Sequence, residues 1–156
     1  MNNQEIIHKE LEGKEMDEEK ADEEELKRIR DKKIKELMER QAQPQITKGV
    51  IHMDSTKFAE TIKSSKVPVI VDYSAQWCGP CRMMAPIFER LANDFAGKII
   101  FGKIDVDEEP SIAQAYGITA VPTFIIFKDA KPVESILGAV GYDRLYKALK
   151  KHIENT

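Results

Sequence analysis

Val67-Pro68-Val69-Ile70-Val71-Asp72-Tyr73-Ser74-Ala75-Gln76-Trp77-Cys78-Gly79-Pro80-Cys81 carries the transition on which the fold of this chain turns. Its first seven residues are apolar apart from Asp72 and read as a buried strand. From Cys81 onward, Cys81-Arg82-Met83-Met84-Ala85 through Phe88-Glu89-Arg90-Leu91-Ala92 spaces its apolar residues at helical intervals. Gly79-Pro80 then lies at a strand-to-helix junction. Pro80 suits a first helical turn, where its missing N–H costs nothing.

The same stretch holds both cysteines of the 156-residue chain, with two residues between them. Two thiols at that spacing can close a small disulfide ring or open to a dithiol. With no third cysteine the chain cannot be a multi-disulfide scaffold, nor can it supply an all-cysteine zinc site. A zinc site shared with histidine fits poorly, because His8, His52 and His152 have no ligand spacing around the pair. Two structural core cysteines flanking Gly-Pro at a helix start would also be an odd core pattern. The pair reads as the working part.

A thiolate, not a thiol, attacks a disulfide, so one sulfur should have a depressed pKa. Cys78 sits just ahead of the helix, facing unpaired amides and the positive end of the dipole, which favour an anion. Cys81, one turn in, should be the more covered of the two. Cys78 is therefore expected to attack and Cys81 to resolve the mixed disulfide from within the same molecule, at high effective concentration.

From about residue 50 to residue 153 the chain resembles the thioredoxin family. The likeness rests on Val71-Asp72 ahead of Ala75-Gln76-Trp77-Cys78-Gly79-Pro80-Cys81-Arg82, on Met84-Ala85-Pro86, and on Gly102-Lys103-Ile104-Asp105-Val106-Asp107. Tyr116-Gly117-Ile118-Thr119-Ala120-Val121-Pro122-Thr123 and Gly138-Ala139 complete it. The resemblance implies that Asp72 is the buried carboxylate that exchanges protons with the resolving cysteine, with Lys103 as its neighbour. It implies a cis-proline at Pro122 opposite the cysteines. It also implies a flat substrate surface of Trp77, Gly79, Pro80, Val121, Pro122, Gly138 and Ala139.

Read from the residues alone, several of these stay open. Asp72 is either a costly carboxylate inside an apolar strand, with a raised pKa, or a strand-end residue facing water. Lys103 taken alone is an ordinary surface lysine, and Trp77 is either a rim residue or a core residue. Pro122 is hard to place in a central strand, so a strand-start or cis position is independently reasonable. Backbone groups of Val121 would then be free to pair with an extended substrate. Pro86 falls inside the helix and should kink it.

Gly79-Pro80 is the central pair of the reducing members of the family; oxidases and isomerases usually have a histidine where Pro80 stands. Two departures stand out. Ser74 occupies a position where many members have tryptophan, and the hairpin Lys128-Asp129-Ala130-Lys131 lacks the usual glycine, so a left-handed residue there would be slightly strained.

Charged residues make up 33% of the chain and hydrophobic ones 42%, with a net charge of −3. That charge is too small to imply a nucleic-acid or membrane partner, and no apolar run approaches the roughly 18 residues that span a bilayer. Met1-Asn2-Asn3-Gln4-Glu5 is no signal peptide, so the expected location is the cytosol, where thiols stay reduced.

The chain divides near Gly49. Residues 1–48 carry 14 acidic and 11 basic side chains, while residues 49–156 carry 13 of each. Residues 10–25 are dominated by carboxylates and are expected to be disordered or a fraying helix. A helix is predicted over about 23–41, acids first and bases later, with Leu26, Ile29, Ile34, Leu37 and Met38 on one side. This arm resembles those ahead of phosducin-like thioredoxin-fold proteins. The stripe could dock on its own domain, bind a protein partner or a second copy, or stay solvated.

For residues 49–156 the pattern predicts strands near 50–53, 67–73, 99–106, 123–127 and 133–137. Helices are predicted near 56–63, 80–95, 110–116 and 142–152. This is an α/β arrangement, a mixed central sheet of about five strands with helices on both faces, compatible with the thioredoxin fold that the resemblance implies. The expected activity is reduction of protein disulfides, with re-reduction by a thioredoxin reductase and no cofactor or metal in this chain. The competing expectation is an interaction protein that recruits a partner through its N-terminal helix.

Overall fold

In the computed structural model, residues 2–42 and 49–154 are described, the side chains of residues 11–17 and 40–42 excepted. Residues 43–48, between the predicted helix and the division near Gly49, lie outside them. The chain forms two compact units, Met1–Ala42 and Gln43–Thr156.

The first unit is one helix, α1, Asn3–Ala42. It begins some twenty residues before the predicted start near 23. Residues 10–25 are acidic but consist mainly of Glu, Lys, Met and Ala, all good helix formers, with one glycine and no proline. Propensity outweighs charge repulsion there. Leu26, Ile29, Ile34, Leu37 and Met38 are all exposed.

The second unit runs β1 Val50–His52, α2 Ser55–Ser64, β2 Val69–Ser74, α3 Gly79–Asp94, β3 Ile100–Asp105, α4 Pro110–Ala115, β4 Thr123–Lys128, β5 Lys131–Leu137 and α5 Tyr142–Glu154. Every predicted strand and helix of residues 49–156 is present. The five strands form one sheet in the order β1-β3-β2-β4-β5. β3 pairs in parallel with β1 and β2, while β2–β4 and β4–β5 pairings are antiparallel.

Helices on both sides explain why β2 and β4 are almost wholly buried and read as apolar runs without alternation. One face of the sheet packs Ile70, Phe101, Phe124 and Ile126 with Met84, Phe88 and Leu91 of α3 and Leu145 and Leu149 of α5. The other packs Val69, Val71, Tyr73, Ile100 and Ile125 with Phe58 and Ile62 of α2 and Ile112 of α4. Successive strand residues point to opposite faces, so Asp72 shares the face of Ile70 and α3. That alternation puts a carboxyl under the helix that begins at Gly79.

The β4–β5 turn needs positive φ at two residues that are not glycine, Asp129 (52°) and Ala130 (63°). The strain anticipated for this hairpin is therefore present at both central positions. A left-handed L-residue costs about 1–2 kcal/mol, and glycine's extra unfolded-state freedom offsets part of the relief. Ala130→Gly is expected to stabilise the fold by about 1 kcal/mol. A higher midpoint in urea denaturation would show it; a lower midpoint would contradict the turn geometry.

Candidate active site

Cys78 and Cys81 form a disulfide with their Cα atoms 5.3 Å apart. Cys78 is the N-cap of α3, with extended backbone angles, and Pro80 lies in the first turn as its fixed φ favours. The Cys81 N–H donates to Cys78 Sγ over 3.2 Å. A capping position normally holds an oxygen that accepts such an amide, and here a sulfur occupies it. An ionised sulfur in that place meets both the amide and the positive end of a helix of 16 residues.

The expected difference in coverage between the two cysteines is absent. Cys78 is 4% exposed and Cys81 3%, packed with Ala75, Val106 and Val121. In the disulfide each sulfur covers the other, so burial does not tell them apart. Their positions do, one ahead of the helix and one within it.

The Val121–Pro122 peptide is cis, as the family likeness implied. Cys78 Sγ lies 3.7 Å from the Val121 carbonyl oxygen. Gly138 N–H donates to the Pro122 carbonyl over 2.8 Å, which brings the Gly138-Ala139 segment to the same end of the sheet. Gly79, Pro80 and Ala139 are exposed, Val121 and Gly138 half-buried and Pro122 buried.

Asp72 is fully buried, and neither carboxylate oxygen has a hydrogen-bond partner. The reading of Asp72 as a water-facing strand end is thereby excluded. Burial pushes its pKa up from 3.8 to about 6, and the Lys103 charge pulls the other way. Lys103 is the register partner of Asp72 across β2 and β3 and is half-buried. Next along β2, the Tyr73 hydroxyl is also buried without a partner, and burial raises its pKa above the usual tyrosine value. Ser74, where tryptophan is common in the family, is buried as well.

Trp77 is 68% exposed, which rules out the core reading, and its Nε1–H donates to Asp107 Oδ2 over 2.8 Å. Asp107 formed no part of the expected site, since nothing in the spacing of a loop acid names an indole thirty residues away. Met83 and Leu137 are exposed apolar side chains also left out. Leu137 had a signal: it directly precedes Gly138 and pairs with Thr123, the neighbour of Pro122. Among the described residues no three His, Cys, Asp or Glu side chains come together to hold a metal, and no helix is long and apolar enough to cross a membrane.

The family model described as Thioredoxin matches residues 49–151. The H-type thioredoxin of Chlamydomonas reinhardtii is 49% identical over 90 residues, 58% of this chain and 79% of that protein. The chloroplastic thioredoxin M4 of Arabidopsis thaliana is 45% identical over 104 residues, 67% of this chain and 54% of that protein. The solved structure of thioredoxin F from spinach chloroplast aligns with a TM-score of 0.65 at 37% identity, covering 69% of this chain and 88% of that one.

Proposed function

The chain belongs to the thioredoxin family, and on that premise we propose that it is an electron carrier that reduces protein disulfides through Cys78 and Cys81, with residues 49–156 as the working domain. The family consists of thiol–disulfide oxidoreductases. The observation that carries the reading is the placement of Cys78 Sγ as the N-cap of α3, with the Cys81 amide 3.2 Å away.

In the proposed cycle the Cys78 thiolate attacks one sulfur of a substrate disulfide, and the other substrate sulfur leaves as a thiolate that takes a proton. Asp72 accepts the proton of Cys81. The new thiolate attacks Cys78 Sγ, breaks the mixed disulfide and frees the second substrate sulfur as a thiolate, which is protonated in turn. Two electrons pass to the substrate, and the chain is left with the Cys78–Cys81 bond. Trp77, Gly79, Pro80, Val121, Pro122, Gly138 and Ala139 form the surface on which an extended segment lies, with the Val121 backbone as the edge it pairs with. Pro80 offers no imidazole to stabilise the thiolate further, so donation of electrons is favoured over oxidation. A separate reductase restores the dithiol; in the family this is a thioredoxin reductase or a ferredoxin–thioredoxin reductase.

The direct assay is insulin reduction coupled to each of these two reductases. Turnover with either supports the reading, and turnover with neither, in a protein whose thiols are accessible to dithiothreitol, would sink it. The compartment follows the chemistry: we place the protein in the cytosol, with the plastid as the rival because relatives such as the Arabidopsis protein are chloroplastic. A fluorescent fusion to the full-length chain decides between them.

A second reading, recruitment of a protein partner by α1, is favoured by the exposure of Leu26, Ile29, Ile34, Leu37 and Met38. Ile29→Asp with Leu37→Asp would abolish recruitment while insulin reduction continues.

A further inference from the structure

We infer that Asp107 is a positioning residue that holds the Trp77 indole as one wall of the substrate surface and thereby sets substrate affinity. This deepens the proposed reductase reading and rests on it. An indole that is 68% exposed has little packing to fix its orientation. Its Nε1–H bond to Asp107 Oδ2, at 2.8 Å, supplies a directional hold.

The acceptor is itself well anchored. Asp105, buried at the end of β3, accepts the backbone N–H of Asp107 at 2.8 Å and that of Glu108 at 3.4 Å through Oδ1. Val106 N–H donates to the Ser74 carbonyl over 2.9 Å, which staples the same loop to β2. The Val106 side chain packs against the cluster of Ala75, Cys78 and Cys81. An unbroken path of short contacts therefore runs from the sheet through Asp105 and Asp107 to the residue beside the reactive sulfur. Trp77 is large and has two side-chain torsions, so a surface it lines is preorganised only if those torsions are held.

Asp107 touches neither sulfur. Its removal should therefore weaken substrate binding and leave the exchange steps nearly as fast. Asp107→Ala is expected to raise KM for insulin about twofold to tenfold, the span of one hydrogen bond, with kcat changed by less than about twofold. Asp107→Asn keeps an acceptor oxygen and should restore most of the affinity, which separates the bond from the charge.

Trp77 is the single tryptophan of the chain, so its emission reports on itself without interference. Time-resolved anisotropy of D107A should gain a sub-nanosecond component that wild type and D107N lack, because a released side chain reorients on that scale. In a Trp77→Phe background, D107A should add nothing further to KM, as two residues acting through one contact are not additive.

An unchanged KM and anisotropy in D107A would overturn the inference. So would an effect of D107A that persists in full without the indole, or a D107N that behaves like D107A. Should D107A fold poorly, D107S serves the same comparison. The anisotropy reads the tether whether or not insulin is reduced, so failure of the reductase reading is distinguishable from failure of this one.

Discussion

Cys78→Ser is expected to reduce insulin no faster than buffer, while Cys81→Ser stalls after one attack and accumulates a covalent adduct. A serine hydroxyl does not ionise near neutral pH and cannot displace a sulfur, so the first variant has no nucleophile. The second keeps the sulfur ahead of α3 and loses the thiol that would attack it from one turn away. Intramolecular attack owes its speed to proximity, and an external thiol at millimolar concentration is a poor substitute. Mass spectrometry of C81S mixed with a disulfide substrate should show one substrate chain per protein, released by dithiothreitol.

The assignment of roles rests on position, since exposures of 4% and 3% do not separate the cysteines. Alkylation of the reduced protein at pH 7 tests it independently: Cys78 should be modified first. Preferential labelling of Cys81, or adduct formation by C78S instead of C81S, would reverse the two roles.

Much of this site was legible because the chain punctuates it. Pro68 and Pro80 bracket β2 and the start of α3, and the apolar run around Asp72 already made a buried carboxyl one of two readings. What decided between them is the sheet: β2 lies between β3 and β4, with no face left for water. No local pattern states that order. Trp77 was undecided for a similar reason, because whether an indole is rim or core depends on a loop thirty residues away. The acids of residues 10–25 leave disorder and a fraying helix both open, and α1 runs through them; Glu5 and Lys9, and Glu10 and Lys14, stand at the helical spacing that lets opposite charges help. The near-equal burial of the cysteines depends on the oxidised state, which sequence does not encode.

Asp72→Asn should make the protein more stable and a slower reductant at the same time. Asparagine resembles the protonated acid in shape, so the comparison isolates the charge. The rise in pKa from 3.8 to about 6 is driven by burial. An acid raised in the folded state contributes stability that is complete below its unfolded pKa and lost as pH climbs through the folded one. The cost of the charged form therefore develops between about pH 4 and pH 6 and reaches about 3 kcal/mol above that window. At pH 8, D72N is expected to unfold at higher urea than wild type by that order of free energy, and below pH 4 the two should converge.

In the proposed cycle that penalty has a use, because the Asp72 carboxylate is the group that accepts the Cys81 proton. Without the carboxylate, attack by Cys81 on the mixed disulfide must lose its proton to water through a nearly closed surface, and turnover near neutral pH should fall about 10- to 100-fold. Wild-type rates should drop as pH falls through about 6, where Asp72 takes up its own proton, whereas the D72N profile should lack that inflection. A variant that is no more stable at pH 8 would refute the burial argument. One that is stabilised but retains the wild-type rate and pH profile would leave the charge real and remove Asp72 from the proposed proton path.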